Sequence, residues 1–261
     1  MLSRGPSSRP WLVAVAALLS VLLTARLGFW QLDRARQKLD LQAQITSRTA
    51  LAPVALAALA RDAASAEGQF YRPITLRGRW LSERTVFLDN RQMSERQGFF
   101  VVTPLLLADG DAVLVQRGWS PRDFSDRTRL QPLATPRGEV WVTGRIAPPP
   151  SKLFALGGAE SGAIRQNIDL AGLAAESGVA LRPLSVQQTG SAVLADADAA
   201  KPALAVDDGL LRQWSAPAVD VGKHHGYAFQ WFALCALITG LFVWFQLLRP
   251  RVARSPDVRS L

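Results

Sequence analysis

Two long apolar stretches bracket a run of short, alternating segments. The second stretch, HHGYAFQWFALCALITGLFVWFQLL (His224–Leu248), carries no formal charge from Tyr227 onward. About 22 residues make roughly 33 Å of helix, enough to cross a hydrocarbon core of about 30 Å. Trp231 and Trp244 mark its ends, where indole rings sit well at a lipid–water boundary. The first stretch runs from Trp11 to Trp30 and is interrupted by Arg26 alone. Its roughly 20 residues also suffice for a crossing. A cleaved signal peptide is the competing reading, but Leu23-Thr24-Ala25 is not a small-residue cleavage pattern and the apolar sequence resumes past Arg26. An uncleaved anchor is expected. Buried helices of soluble proteins rarely stay uncharged this long, so two membrane spans are expected.

Between the spans the period changes. Leu32, Ala35, Leu39 and Ala43 continue an apolar helical stripe beyond the first span, predicting an amphipathic stalk. Pro53–Ala60 reads as a short helix with Pro53 in its first turn, and Ala63–Gln69 as a loop. Tyr71–Trp80, Arg84–Arg91, Gly98–Gly110, Asp111–Trp119 and Gly138–Ala147 are β-branched or aromatic runs separated by turn residues. Asp109-Gly110 between two of them predicts a hairpin. Ser120–Thr135 reads as a long connection, Ile164–Ile168 as another strand, and Leu184–Gln188 as the last one. Asp169 and Gly178 bracket a helix as N-cap and C-terminal stop. Ser191–Asp208 is Ala/Asp-rich and reads as a flexible loop. The predicted class is an α+β membrane protein whose mainly β domain, a curled sheet or barrel, is flanked by two transmembrane helices. Its segments are a tail (1–10), a first span (11–30), the β domain with its stalk (31–226), a second span (227–248) and a basic tail (249–261).

Charge settles the expected orientation. The first tail carries Arg4 and Arg9 without an acid; the last carries four arginines against Asp257. Basic flanks stay in the cytoplasm, so both termini are expected inside and the large domain outside, in the periplasm of a bacterial inner membrane. The net charge of +9 does not predict a nucleic-acid partner, because residues 31–226 hold 23 Lys and Arg against 20 Asp and Glu. The single cysteine, Cys235, lies within the second span, so no internal disulfide or Cys-based metal centre can form. No G-x-S-x-G, P-loop or H-E-x-x-H pattern occurs, and the two histidines are adjacent, which suits no catalytic triad. No enzyme activity is expected.

Three motifs carry a resemblance. Leu27-Gly28-Phe29-Trp30-Gln31-Leu32-Asp33-Arg34 resembles the L-G-x-W-Q-x-x-R signature of the surfeit locus protein one family. Gly98-Phe99, Thr103-Pro104-Leu105, Gly110 and Val115-Gln116-Arg117-Gly118-Trp119 resemble its G-F-x-x-x-T-P-L…G…V-x-R-G-W stretch. His224-His225-Gly226-Tyr227-Ala228-Phe229-Gln230-Trp231-Phe232 resembles its H-x-x-Y-A-x-Q-W-F signature. The resemblance implies an assembly factor for haem–copper cytochrome c oxidase that holds haem a for insertion into the catalytic subunit, with haem a synthase as a further partner. It implies His224 as the iron ligand. The alternative is a scaffold that holds an oxidase assembly intermediate without ligating iron.

The residues themselves add candidates. His224, Tyr227 and Trp231 share a helix face at the outer membrane boundary. A neutral imidazole is a common metal ligand, and the aromatic rings suit a flat apolar group. Arg26 and Arg34, at the same level of the first span, are candidates for pairing with propionates. Against this, Arg26 can simply snorkel to headgroups, and the histidines can serve as interface anchors. Arg117, Gly118 and Trp119 read as packing residues, and Gln230 as a hydrogen-bond partner for the first span. Ala14, Ala17 and Thr24 on one span, with Ala233, Ala236 and Gly240 on the other, are the expected close-packing stripes.

Overall fold

The structure, a computed structural model, describes residues 10–126, 128–154, 160–195, 205–214 and 221–249. In chain order the elements are α1 (Pro10–Thr49), α2 (Ala63–Gln69), β1 (Pro73–Trp80), β2 (Val86–Met93), β3 (Arg96–Leu107), β4 (Ala112–Pro121), β5 (Glu139–Ala147), β6 (Ile164–Arg165), α3 (Leu170–Ser177), β7 (Leu181–Gln188), β8 (Ala192–Leu194), β9 (Ala205–Val206) and α4 (Val221–Phe242). A π-type segment, Val243–Leu248, prolongs α4. The chain divides into two units: residues 1–43 with 217–261, and residues 44–216. Most of each basic tail, and residues 196–204 of the expected flexible loop, lie outside the described residues.

The first unit consists of α1 and α4, both long and apolar enough to cross a membrane. Leu18, Leu19, Leu22 and Leu23 are each more than half exposed. Leaving such side chains in water forgoes about 1.5–3 kcal/mol apiece. Lipid is the solvent in which this surface is stable, and the chain is a membrane protein. The stalk expected beyond Trp30 is the uninterrupted continuation of α1 to Thr49.

The second unit is a nine-stranded sheet in which five strands close a ring: β1 pairs with β3 and β5, and the path β3-β4-β7-β5 completes it. A ring of five cannot alternate strand direction all the way round. The parallel β4–β7 pair absorbs the odd step, while the other ring pairs are antiparallel. Inside lie Ile74, Leu76, Trp80, Leu105, Val113, Val115, Val142, Ile146, Leu184 and Val186, alternate residues of each strand as the pleat requires. Strands β2 and β6 extend the sheet at one end, and β8 and β9 at the other. A second apolar cluster (Val86, Leu88, Val102, Leu114, Ile168, Leu173) seats α3 against the outer face.

Local signals explain most elements. Gly110, at φ +86, turns the β3–β4 hairpin. The Asp169 side chain accepts from the Gly172 N–H to open α3, and Gly178, at φ +69, ends it.

Three expectations are corrected. Pro53–Ala60 forms no helix beyond the single turn Leu56–Ala58, because Val54 is drawn into a bridge with Ile74 and buried. Ala63–Gln69 is a helix rather than a loop: Asp62 accepts from the Ser65 N–H, and Arg48 donates to the carbonyls of Glu67 and Phe70 at its far end. Leu184–Gln188 belongs to β7 but is not the last strand, since β8 and β9 follow within the expected flexible loop.

Candidate functional site

Helices α1 and α4 meet along a seam of period 3 and 4. Among the buried or half-buried positions of α1 are Ala14, Ala17, Val21, Thr24, Gly28, Gln31 and Ala35; among those of α4 are Val221, His224, Ala228, Trp231, Cys235, Ile238 and Phe242, with Phe232 beside Trp231. This a/d spacing is that of two helices packed side by side. The small-residue stripe expected on α1 is part of the seam. The one expected on α4 is not: Ala233, Ala236 and Gly240 are exposed. The phase of α4 is set instead by Ala228 and Cys235, with larger side chains between them.

The contacts run antiparallel. The Cys235 thiol lies 3.7 Å from the Val21 carbonyl. The Phe232 ring lies edge-on to Phe29, centroids 5.2 Å apart, and fills the space that a side chain at position 28 would take: a Cβ on Gly28 would stand 2.7 Å from the ring. Thr24 turns its hydroxyl back to the carbonyls of Ser20 and Val21, satisfying that donor within α1. At the end of the ladder His224 Nδ1 stands 2.7 Å from Gln31 Oε1. The amide oxygen can only accept, so the ring Nδ1–H donates. Two motifs 193 positions apart are thereby joined.

A cross-link tests the pairing. Val21→Cys places a second thiol beside the chain's own cysteine. Oxidation in native membranes is expected to give an intramolecular disulfide that keeps the two halves together after proteolysis of the central domain. Two reduced thiols under the same conditions would contradict the pairing.

The structure sorts the other candidates. Trp231 lies on the seam two turns beyond His224, and Tyr227 is half exposed at its flank. Arg34 is exposed and donates to Gln37 Oε1 at 3.0 Å. It lies three residues past Gln31, about 60° around the helix. Arg26 lies about 140° from Gln31. It faces an open groove of about 900 Å³ walled by Leu22, Leu23, Leu27, Phe29, Trp30 and Asp33. His224 and Arg26 are therefore not brought together. Gln230 is exposed, so the polar tie between the helices is made by Gln31, which sequence reasoning did not single out. Its signal was its place at the helical phase of Gly28 and Thr24, three and seven residues on.

The motif Arg117-Gly118-Trp119 holds the barrel to the strap 207–214. Arg117 is the extra residue of a β-bulge, since Val101 pairs with Gly118 and Val102 with Gln116. Its guanidinium binds Asp208 (3.3 Å), Thr135 Oγ1 (2.7 Å) and the Ala134 carbonyl (2.9 Å), and stacks 4.7 Å over Trp80. Burial lowers the Arg117 pKa, and the Asp208 charge offsets part of this. Gly118 lets the strap approach, for a Cβ there would stand 2.6 Å from Leu210 Cβ. Trp119 exchanges backbone bonds with Leu211 and donates its indole N–H to the Arg91 carbonyl. These residues build structure.

A family model described as the SURF1 family matches residues 18–236. Among curated proteins, a SURF1-like protein of Drosophila melanogaster is 34% identical over 147 residues, 49% of this chain and 47% of the relative. The cytochrome oxidase assembly protein SHY1 of Saccharomyces cerevisiae is 28% identical over 139 residues, covering 52% and 35%. A SURF1-like protein of Rickettsia conorii is 32% identical over 109 residues, 40% of each. The matched stretch spans less than half the length of each of these relatives.

Proposed function

Since the chain belongs to the SURF1 family, we propose that it is an assembly factor for haem–copper cytochrome c oxidase that holds haem a at the outer membrane interface for insertion into the catalytic subunit. The observation that carries this reading is the joining of His224 to Gln31 at one level of the helix pair. The name of the yeast relative supplies the assembly context. In this reading the helices span a bacterial inner membrane, the basic tails are cytoplasmic, and the β domain lies in the periplasm.

The donor set fits haem better than a bare ion. Among the described residues no three His, Cys, Asp or Glu side chains cluster. A single imidazole suits an iron that is already chelated, with an axial position left open, as in a porphyrin. His224 offers Nε2, Tyr227 and Trp231 offer rings one and two turns along α4, and Arg34, rather than Arg26, is the guanidinium nearer Gln31 in helical phase. Bound haem would supply the iron that the imidazole ligates; the chain's own part is to hold and orient it. The catalytic subunit is the recipient, and haem a synthase is the source.

Affinity purification from cells that make haem a tests the reading. The expected product carries a haem a absorption spectrum together with the oxidase catalytic subunit. A colourless protein that still retains the subunit would replace this reading with that of a scaffold.

A further inference from the structure

We infer that Gln31 fixes the tautomer of His224 and so selects Nε2 as the nitrogen offered to a ligand, a proposal that rests on the haem-holding reading above. A neutral imidazole carries one N–H and one lone pair. With the amide oxygen of Gln31 facing Nδ1 at 2.7 Å, the N–H sits on Nδ1. In this orientation of the amide the other tautomer would set two lone pairs against each other at that distance. The lone pair is left on Nε2, the far side of the ring from α1.

Position as well as protonation is fixed. Gln31 lies on the seam between buried Gly28 and buried Ala35, one turn to either side. Its side chain is therefore held by the helix packing, and the hydrogen bond passes that constraint to the imidazole. His225, the next residue, lies about 100° round α4 and is exposed. Among the described residues it has no such partner. Of two adjacent histidines, one is thus oriented as a ligand and the other is not. A hydrogen bond from the far ring nitrogen is how ligating histidines are ordinarily aimed, and losing it costs about 10–100-fold in metal affinity.

The test uses the full chain in detergent. The sequence has two histidines, so His225→Ala leaves His224 as the sole one. Labelling with ¹⁵N-histidine then reports one ring. Without haem, at a pH above histidine titration, the ring is expected to show a protonated Nδ1 and an unprotonated Nε2. Adding Gln31→Leu is expected to shift the population toward the Nε2–H form that free histidine prefers. An Nε2–H ring with Gln31 present, or no change on Gln31→Leu, would overturn the proposal.

A second arm titrates haem a. Gln31→Leu is expected to weaken binding by about 10–100-fold, and Gln31→Glu, which still accepts from Nδ1, to restore most of it. Formation of the Val21→Cys cross-link in the Gln31→Leu background shows that the helices stay paired. Tight binding that depends on His224 but not on Gln31 would sink this inference and leave the haem reading intact. No binding by the wild type, with the expected tautomer present, would sink the haem reading alone.

Discussion

Arg117→Met is expected to destabilise the β domain by about 3–5 kcal/mol, the cost of removing one partner from a buried ion pair. The side chains of Arg117 and Asp208 are 1% and 2% exposed, so water cannot take the place of the lost guanidinium. Arg212 still reaches Asp208 at 2.5 Å, which favours the lower half of that range. Two further bonds, to Thr135 Oγ1 and the Ala134 carbonyl, and the stacking over Trp80 go with it. For a unit of this size about 3 kcal/mol lowers the melting temperature by roughly 10 °C. Thermal unfolding in detergent, followed by near-ultraviolet circular dichroism, reads this directly. An unchanged melting temperature would show that the pair is not what fastens strap 207–214 to the barrel.

Gly98→Val is expected to be at least as damaging. A Cβ on Gly98 would lie 2.2 Å from the Ser120 carbonyl oxygen and 2.5 Å from the Trp119 ring. The first neighbour is backbone of the adjacent strand, held by the Phe99–Ser120 and Gly98–Pro121 pairs, and cannot step aside. Displacing Trp119, which is fully buried, forfeits its packing and its indole bond to the Arg91 carbonyl. Overpacking and loss of a large buried ring together amount to about 3 kcal/mol or more. The variant is expected to be nearly absent from membranes at steady state. Wild-type abundance and melting would contradict the account of why this motif begins with glycine.

The outline of the molecule was legible because its signals are long or strongly periodic. The spans show as uncharged stretches, and the five central strands as β-branched runs with Asp109-Gly110 between two of them. The misses have physical causes. Helix α2 buries Ala66 but little else, so it has no apolar stripe; its signature is the Asp62 cap. Strands β8 and β9 are three and two residues long and Ala-rich, too short to show a period. Closure of the barrel depends on β1 meeting both β3 and β5, a long-range pairing that no local pattern encodes.

Only one half of the His224–Gln31 pair was legible. His224 was marked by its motif, but its partner depended on the phase of one helix against the other. Small residues gave that phase correctly on α1 and wrongly on α4, where Trp231, Phe232 and Cys235 occupy the seam. Arg26 faces the open groove beside Leu22, Leu23 and Trp30 rather than the helix seam. Depth can be counted along a sequence; facing requires the second helix.

His224, and not its neighbour His225, is the proposed haem ligand. The direct measurement is titration of haem a into the detergent-purified protein, with His224→Ala and His225→Ala alongside. His224→Ala is expected to lower affinity by more than about 100-fold, beyond the range of an outer partner, while His225→Ala stays within a few-fold of wild type. Equal losses from both variants, or binding that survives His224→Ala, would contradict the account.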